Sequence, residues 1–283
     1  MANSFLNIIT FIVTTIFYYL TIKPSLNIDT LTDESLYSKY LKNTYIAMAI
    51  YLLLTMIIQF FVNTALVANT CGGSITDNLG ASGLYTFLPW ILLFGPLLGV
   101  IIMYPSLKSA FSDVIGYFWV ASSANNVLSE LLIDKKIQSE IDANTKYTSE
   151  QRSSIQTATD LVVKIYGNNS ILINQITPLN FIEYWDILTP LMKPKFKSET
   201  SSETIDIKQR LLDIVVSRDN VGESTWMLYT GILIISIIQL KMATRGCIQS
   251  QHTMEQNYKS YLEKEQEAKD KAELAQSTTY THT

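Results

Sequence analysis

Cysteine, histidine and charge are all scarce in this chain, and each shortage closes off a class of function. Its two cysteines, Cys71 and Cys247, stand far apart, and its two histidines, His252 and His282, both fall in the polar C-terminal stretch. Four donors so scattered have no zinc-type spacing, so no metal centre is expected. A Cys71–Cys247 disulfide is left open by the count alone. Charged residues are only 16% of the chain, and acidic ones outnumber basic ones 25 to 21, for a formal net charge of −4. A chain of that sign has no general attraction to nucleic-acid phosphates, and no nucleic acid partner is expected. Walker loops, GxSxG elbows and HExxH pairs are missing, and neither histidine sits near a nucleophile. Cys71 precedes Gly72-Gly73 with no neighbouring base, which suits a structural turn better than a reactive thiol. The expectation is a protein that is not an enzyme and uses no cofactor.

What the chain does have is apolar residues gathered into long blocks. Mean hydropathy is a modest +0.18, yet the blocks approach the ~20 residues that a helix needs to cross a hydrocarbon layer about 30 Å thick. Four spans are expected, and the lipid bilayer is the first partner. The first runs from about residue 5 to 22, with Tyr18 and Tyr19 near its end and Lys23-Pro24 closing it. No basic residue precedes it and no small-x-small site follows, so it reads as an uncleaved anchor. The second, about 45–67, is the cleanest. Its Gln59 and Asn63 lie one turn apart and share a face. Hydrogen bonding of that face to a neighbouring helix is the expected role, ahead of a polar pathway. The third, about 84–104, contains Pro89 and the pair Gly95-Pro96, which predict a kink, with a re-entrant hairpin as the alternative. The fourth, about 224–243, opens at Ser224 or Thr225 as a predicted N-cap.

Between the third and fourth spans, residues 105–223 suffice for a small helical domain outside the membrane. Apolar residues recur at three- and four-residue steps from Leu107 to Leu132, which predicts amphipathic helix with a break over 121–126. The half with Tyr117, Phe118 and Trp119 is expected to lie flat on the bilayer. A capping pair, Thr148 and Gln151, predicts a helix over 149–166. Further helices are predicted after Pro178 and over 204–217, with a surface loop over 193–203 and a strand candidate at 170–176. The tail, 244–283, reads as a solvated helix, with a coiled coil as the lesser alternative, and disorder is expected from Gln276 onward. The fold class is therefore all-α: a multi-pass transmembrane helical protein of about four spans, with a small helical extramembrane domain between spans three and four.

The densest polar group beside a predicted span is Arg218-Asp219-Asn220 with Glu223. Arg218 and Glu223 are five apart and do not pair on a straight helix. An interfacial turn is the expected role, and a partner-docking cluster the second. Asn168-Asn169-Ser170 fits a glycosylation acceptor, a tripeptide that chance often supplies. Sidedness is divided: Lys23, Lys39 and Lys42 favour a cytoplasmic face for 23–44, whereas Lys241 and Arg245 favour the tail.

Two stretches carry a resemblance: Leu88-Pro89-Trp90-Ile91 through Gly95-Pro96 to Tyr104-Pro105-Ser106, and Ser217-Arg218-Asp219-Asn220-Val221-Gly222-Glu223 leading into Trp226. Together they resemble multi-pass membrane proteins encoded by nucleocytoplasmic large DNA viruses of algae and protists. The likeness covers mainly the third and fourth spans with their flanks. It implies a structural protein of the internal virion membrane that ties the bilayer to the minor capsid layer, and it carries over no catalytic residues. Other membrane or coat proteins are then the expected partners, and homo-oligomerisation stays open. A channel or transporter subunit built around the kinked third span is the alternative.

Overall fold

Backbone polar groups that lack both water and a partner strand must bond along their own segment, and the apolar blocks here do so as helices. The computed structural model describes residues 5–71, 75–132, 169–245 and 251–279. In order, α1 (Phe5–Phe17) continues through a π-helical turn at Tyr18–Ile22, and α2 (Ile28–Thr32) leads into α3 (Glu34–Cys71). Then α4 (Ile75–Pro89) passes through a π-helical turn at Trp90–Phe94 into α5 (Gly95–Met103). A further pair, α6 (Ser106–Phe111) and α7 (Tyr117–Leu131), is joined by a π-helical turn at Ser112–Gly116. Short α8 (Asn169–Gln175) and α9 (Phe181–Leu188) precede the long α10 (Ser202–Arg245) and the terminal α11 (Gln251–Thr279). Among the described residues the one β pairing is an isolated bridge between Leu132 and Met192.

Four helical stretches are long and apolar enough to cross a membrane: Phe5–Ile22, Glu34–Cys71, Ser82–Met103 and Ser202–Thr244. Two of them exceed the predicted spans. The second reaches back to Glu34, where Asp33 caps it by accepting from the backbone N–H groups of Ser35 and Leu36 at 2.8 and 3.1 Å. Those bonds, with the Ser35 hydroxyl foremost, hold the Asp33 carboxyl below the usual range. The fourth corrects three expectations at once. The predicted helix over 204–217, the interfacial turn at 218–223 and the span after 224 form one continuous helix of 44 residues. Ser224 and Thr225 do not cap anything. Their hydroxyls bond back to the Val221 carbonyl at 2.9 and 2.7 Å, as they do in a helix interior.

In the third stretch the prolines neither break the chain nor turn it back. Pro89 ends α4, Pro96 sits in the first turn of α5, where its missing N–H costs little, and the wide turn at Trp90–Phe94 lies between them. Gly95 continues the helical path between turn and α5.

Two apolar cores share α10. One unites Phe11, Met48, Tyr51, Trp90 and Phe94 with Met227, Ile234, Ile235 and Ile238. The other gathers Val120, Leu128, Leu131, Ile173, Phe181 and Trp185 around Ile207, Leu211, Leu212 and Val215. The first core is inside out by the standards of water. Asn7, Thr14, Thr15, Gln59 and Asn63 are buried in it, whereas Phe5, Leu6, Ile9, Val13 and Ile16 face outward. Such a bundle is compatible with an integral membrane protein.

The second core corrects three smaller expectations. Helix α7 runs unbroken through 121–126; the irregularity falls earlier, at 112–116. Residues 170–176 are not a strand: α8 buries Leu172 and Ile173, and Ile176 is buried just past its end. Part of the 193–203 loop is pinned, since Phe196 is buried and the Lys193 N–H donates to the Leu131 carbonyl at 3.0 Å. In the segment expected to lie flat on the bilayer, Phe118 and Trp119 are exposed. Gly116 abuts the Arg218 backbone and Gly222 abuts Ser112, so α6 and α7 run antiparallel along α10, and Val120, Ala124 and Val127 face inward. Any side chain on either glycine would hold the two backbones apart.

The tail helix extends to Thr279, past the predicted limit at Gln276, in keeping with its Ala, Glu, Lys and Gln content. The helix predicted over 149–166 and the Asn168 sequon position lie outside the described residues.

A second close contact tests the bundle. A methyl group on Gly231 would overlap the Phe11 ring, whereas one on Gly99 meets nothing within 4 Å. Gly231→Ala should lower unfolding stability in detergent by about 1–3 kcal/mol, and Gly99→Ala should leave it unchanged or slightly raised. Thermal melts of the two variants side by side check the pair.

Candidate functional site

Single lysines follow two of the apolar stretches, and α10 carries two carboxylates one turn apart on one face. The fold brings all four together between the two cores. Glu223 uses both oxygens: Oε1 meets Lys23 Nζ at 2.6 Å, and Oε2 meets Lys108 Nζ at 2.6 Å. The same Lys108 reaches Asp219 Oδ2 at 2.7 Å. Tyr19 donates its hydroxyl to Glu223 Oε1 at 2.8 Å, and its ring lies 4.9 Å from Lys23 Nζ. The Glu223, Lys23 and Lys108 side chains are only 6%, 8% and 10% exposed, so this is a buried network and not a surface pair.

Burial opposes the charge on Lys108, but Glu223 and Asp219 outweigh it and hold the ammonium above the ordinary lysine range. A lysine pKa raised by folding adds stability that is complete below the unfolded value and disappears only as pH climbs through the folded one. The Lys108 ammonium therefore stays charged at neutral pH, and on the alkaline side its pairing is lost only in strong alkali.

Arg218 points away from Glu223, as their spacing requires. Its guanidinium is buried against α8, where Nη1 donates to the Ile173 carbonyl and, at 3.4 Å, to Asn174 Oδ1. Asp113 Oδ1 lies 4.0 Å from Nη1. Partial burial raises the Asp113 pKa against the pull of Arg218. Asn220 lines the cavity beside this cluster.

The four residues singled out in the sequence thus divide between two jobs. Glu223 and Asp219 lock α1 and α6 to α10, and Arg218 locks α8 to it. Lys23, Lys108, Tyr19 and Asp113 complete the site; in the sequence Lys23 and Tyr19 drew notice only as the end of a span, and Lys108 drew none. The available signal was the like-charge pair Asp219/Glu223 at i,i+4, which demands cations from elsewhere.

Gln59 and Asn63 form a second polar network inside the apolar bundle. Asn7 Nδ2 donates to Asn63 Oδ1 at 2.5 Å, and Asn63 Nδ2 donates to Thr86 Oγ1 at 2.9 Å, which ties α1, α3 and α4 together. Gln59 Nε2 donates to the Asn7 carbonyl at 2.9 Å and to Thr10 Oγ1 at 3.2 Å, while its Oε1 has no partner. Among the described residues no group of His, Cys, Asp and Glu is arranged to hold a metal ion. No family model, curated protein or solved structure matches the chain.

Glu223→Gln leaves two buried lysines with one carboxylate between them and should cost about 3–5 kcal/mol of stability. Lys269→Ala, which removes only an exposed i,i+4 pair with Glu265, should cost nothing measurable. Asn63→Leu deletes two interhelical bonds and should cost on the order of 1–2 kcal/mol, since such bonds in bilayers average somewhat under 1 kcal/mol each. Denaturation of all three variants in one detergent provides the comparison.

Proposed function

We infer that this chain is a non-enzymatic, multi-pass membrane scaffold that presents a helical domain to a protein coat. The observation that carries the reading is α10: one helix takes part in both apolar cores, and buried ion pairs fix it where the cores meet. A domain joined in that way moves with its membrane bundle as one body, which suits a part that transmits position or load. The resemblance to virion membrane proteins of large DNA viruses supports a viral internal membrane as the bilayer and minor capsid proteins as the partners.

Use of the Gln59 and Asn63 amides within the bundle supports a packing role for that face rather than a conduit for solute. Sidedness draws support from two directions. Cys71 is disulfide-bonded, and the other cysteine of the chain, Cys247, lies outside the described residues. Disulfides persist in oxidising compartments, so the Cys71 end of α3 belongs on the non-cytosolic side. Lys23, Lys39 and Lys42, at the opposite end, then face the cytosol together with the 105–223 domain, in line with the positive-inside tendency.

Cross-linking mass spectrometry on native membranes or particles tests the reading. Lys193, Lys195 and Lys197 should link to a coat or membrane-complex protein, and the chain should stay in the pellet after alkaline extraction. A chain released to the supernatant as a compact monomer without detergent removes the proposal.

A further inference from the structure

The helical domain departs from the aqueous pattern along one face. Phe118 and Trp119 are 85% and 73% exposed, and Val114 is 67% exposed. Two charged residues fall between Met103 and Ser129: Lys108 is buried among carboxylates, and Asp113 lies 4.0 Å from Arg218 Nη1. Past Trp119 the surface changes at once. The exposed positions of α7 become Ser122, Ser123, Asn125, Asn126 and Ser129. A continuous apolar face with so abrupt an end marks a contact surface, not the scattered exposure usual in water.

That face continues the outer surface of the fourth apolar stretch. Tyr229, Leu233, Ile237 and Leu240 stand exposed at three- and four-residue steps along α10. At Tyr229 the stripe passes to a neighbouring helix, because the Phe111 ring lies 6.3 Å from the Tyr229 ring. It then follows α6 and α7 through Val114 and Phe118, in the direction set by Ser112 against Gly222 and Gly116 against Arg218. Length gives the handover a purpose. Ser224 to Leu240 rises only about 24 Å at 1.5 Å per residue, short of a hydrocarbon layer about 30 Å thick. Arg218, the neighbour of Gly116, stands about 33 Å from Leu240 on the same measure. Between Asp213 and Lys241 no charged residue of α10 is exposed.

We propose that the outer face of α6 and of the first half of α7 lies against lipid, with Val114, Ile115 and Phe118 among the acyl chains and Trp119 at the headgroup level. The fourth span then draws its full apolar height from two helices. An indole suits the boundary, since it pairs an apolar body with one N–H for headgroups or water. On α3, by contrast, Lys39 and Lys42 are exposed, so the α3 flank does not share this apolar face and the added height is one-sided. A coat protein is left the polar surface beyond Trp119. The proposal rests on the bilayer reading above but not on the coat partner.

The experiment uses the full-length protein reconstituted into phosphatidylcholine vesicles, with a nitroxide label on one introduced cysteine at a time. Val114→Cys and Phe118→Cys probe the face, Leu233→Cys reports the fourth apolar stretch, and Asn126→Cys reports the polar surface. All four positions are exposed, so the label disturbs no core. The unsubstituted chain, whose Cys71 is disulfide-bonded, sets the background. Electron paramagnetic resonance compares collisions with oxygen, which concentrates in lipid, and with a nickel chelate, which stays in water. The ratio of oxygen to nickel collisions at Val114 and Phe118 should match that at Leu233 and exceed that at Asn126. Nickel access at Phe118 with oxygen preference at Leu233 overturns the proposal and leaves the bilayer reading standing. Nickel access at Leu233 removes both. Few collisions of either kind at Phe118 mean that a second copy of the chain covers the face, which also overturns the proposal.

Discussion

A single carboxylate, that of Glu223, holds ammonium groups from two other parts of the chain where the two apolar cores meet. Isolated charges are not tolerated in such surroundings, so each must find an opposite charge and fill its remaining hydrogen-bonding capacity. Glu223 does both, with Lys23 from the end of the first apolar stretch, Lys108 from α6 and the Tyr19 hydroxyl. Rotation or sliding of α10 would strand at least one buried charge. The register of three segments is thereby fixed by one side chain, and the two cores are held in a set relation to each other.

The two cores obey different rules, and α10 accommodates both. In the helical domain apolar side chains point inward and exposed positions such as Asp213 are charged, as water demands. In the bundle many large apolar residues point outward while amides and hydroxyls point inward, an arrangement compatible with lipid surroundings, where no hydrophobic drive brings helices together. Small residues at crossings take over part of that task. Gly231 admits the Phe11 ring, and Gly116 and Gly222 let α6 and α10 approach almost backbone to backbone. Close approach also brings Lys108 within reach of Asp219 and Glu223.

Rigidity of this kind fits a positioning role. Most polar groups in the bundle are engaged with one another, and the helix that joins bundle to domain has neither glycine-rich hinge nor proline over its 44 residues. The buried side-chain atoms left unengaged among the described residues are few, and they divide between the bundle (Thr55, Gln59, Ser82 and Trp90) and the neighbourhood of the charged cluster (Ser112 and Arg218).

The sequence by itself determined that there are four long apolar helices, that the described part of 105–223 is mostly helical, and that Gln59 and Asn63 share a face. Each follows from local periodicity and from the length needed to cross a hydrocarbon layer, and neither depends on distant partners. Only the tertiary structure decided that the helix before the fourth apolar stretch does not end at Ser217. Arg218, Asp219 and Glu223 look like the polar residues of a turn when read alone. They stay helical because Lys23, Lys108 and the α8 carbonyl, 45 to 200 residues away in the chain, supply their partners. Pairing at such separations is invisible to any window along the sequence: a charge reveals that it needs a counter-charge, but only packing reveals which one answers.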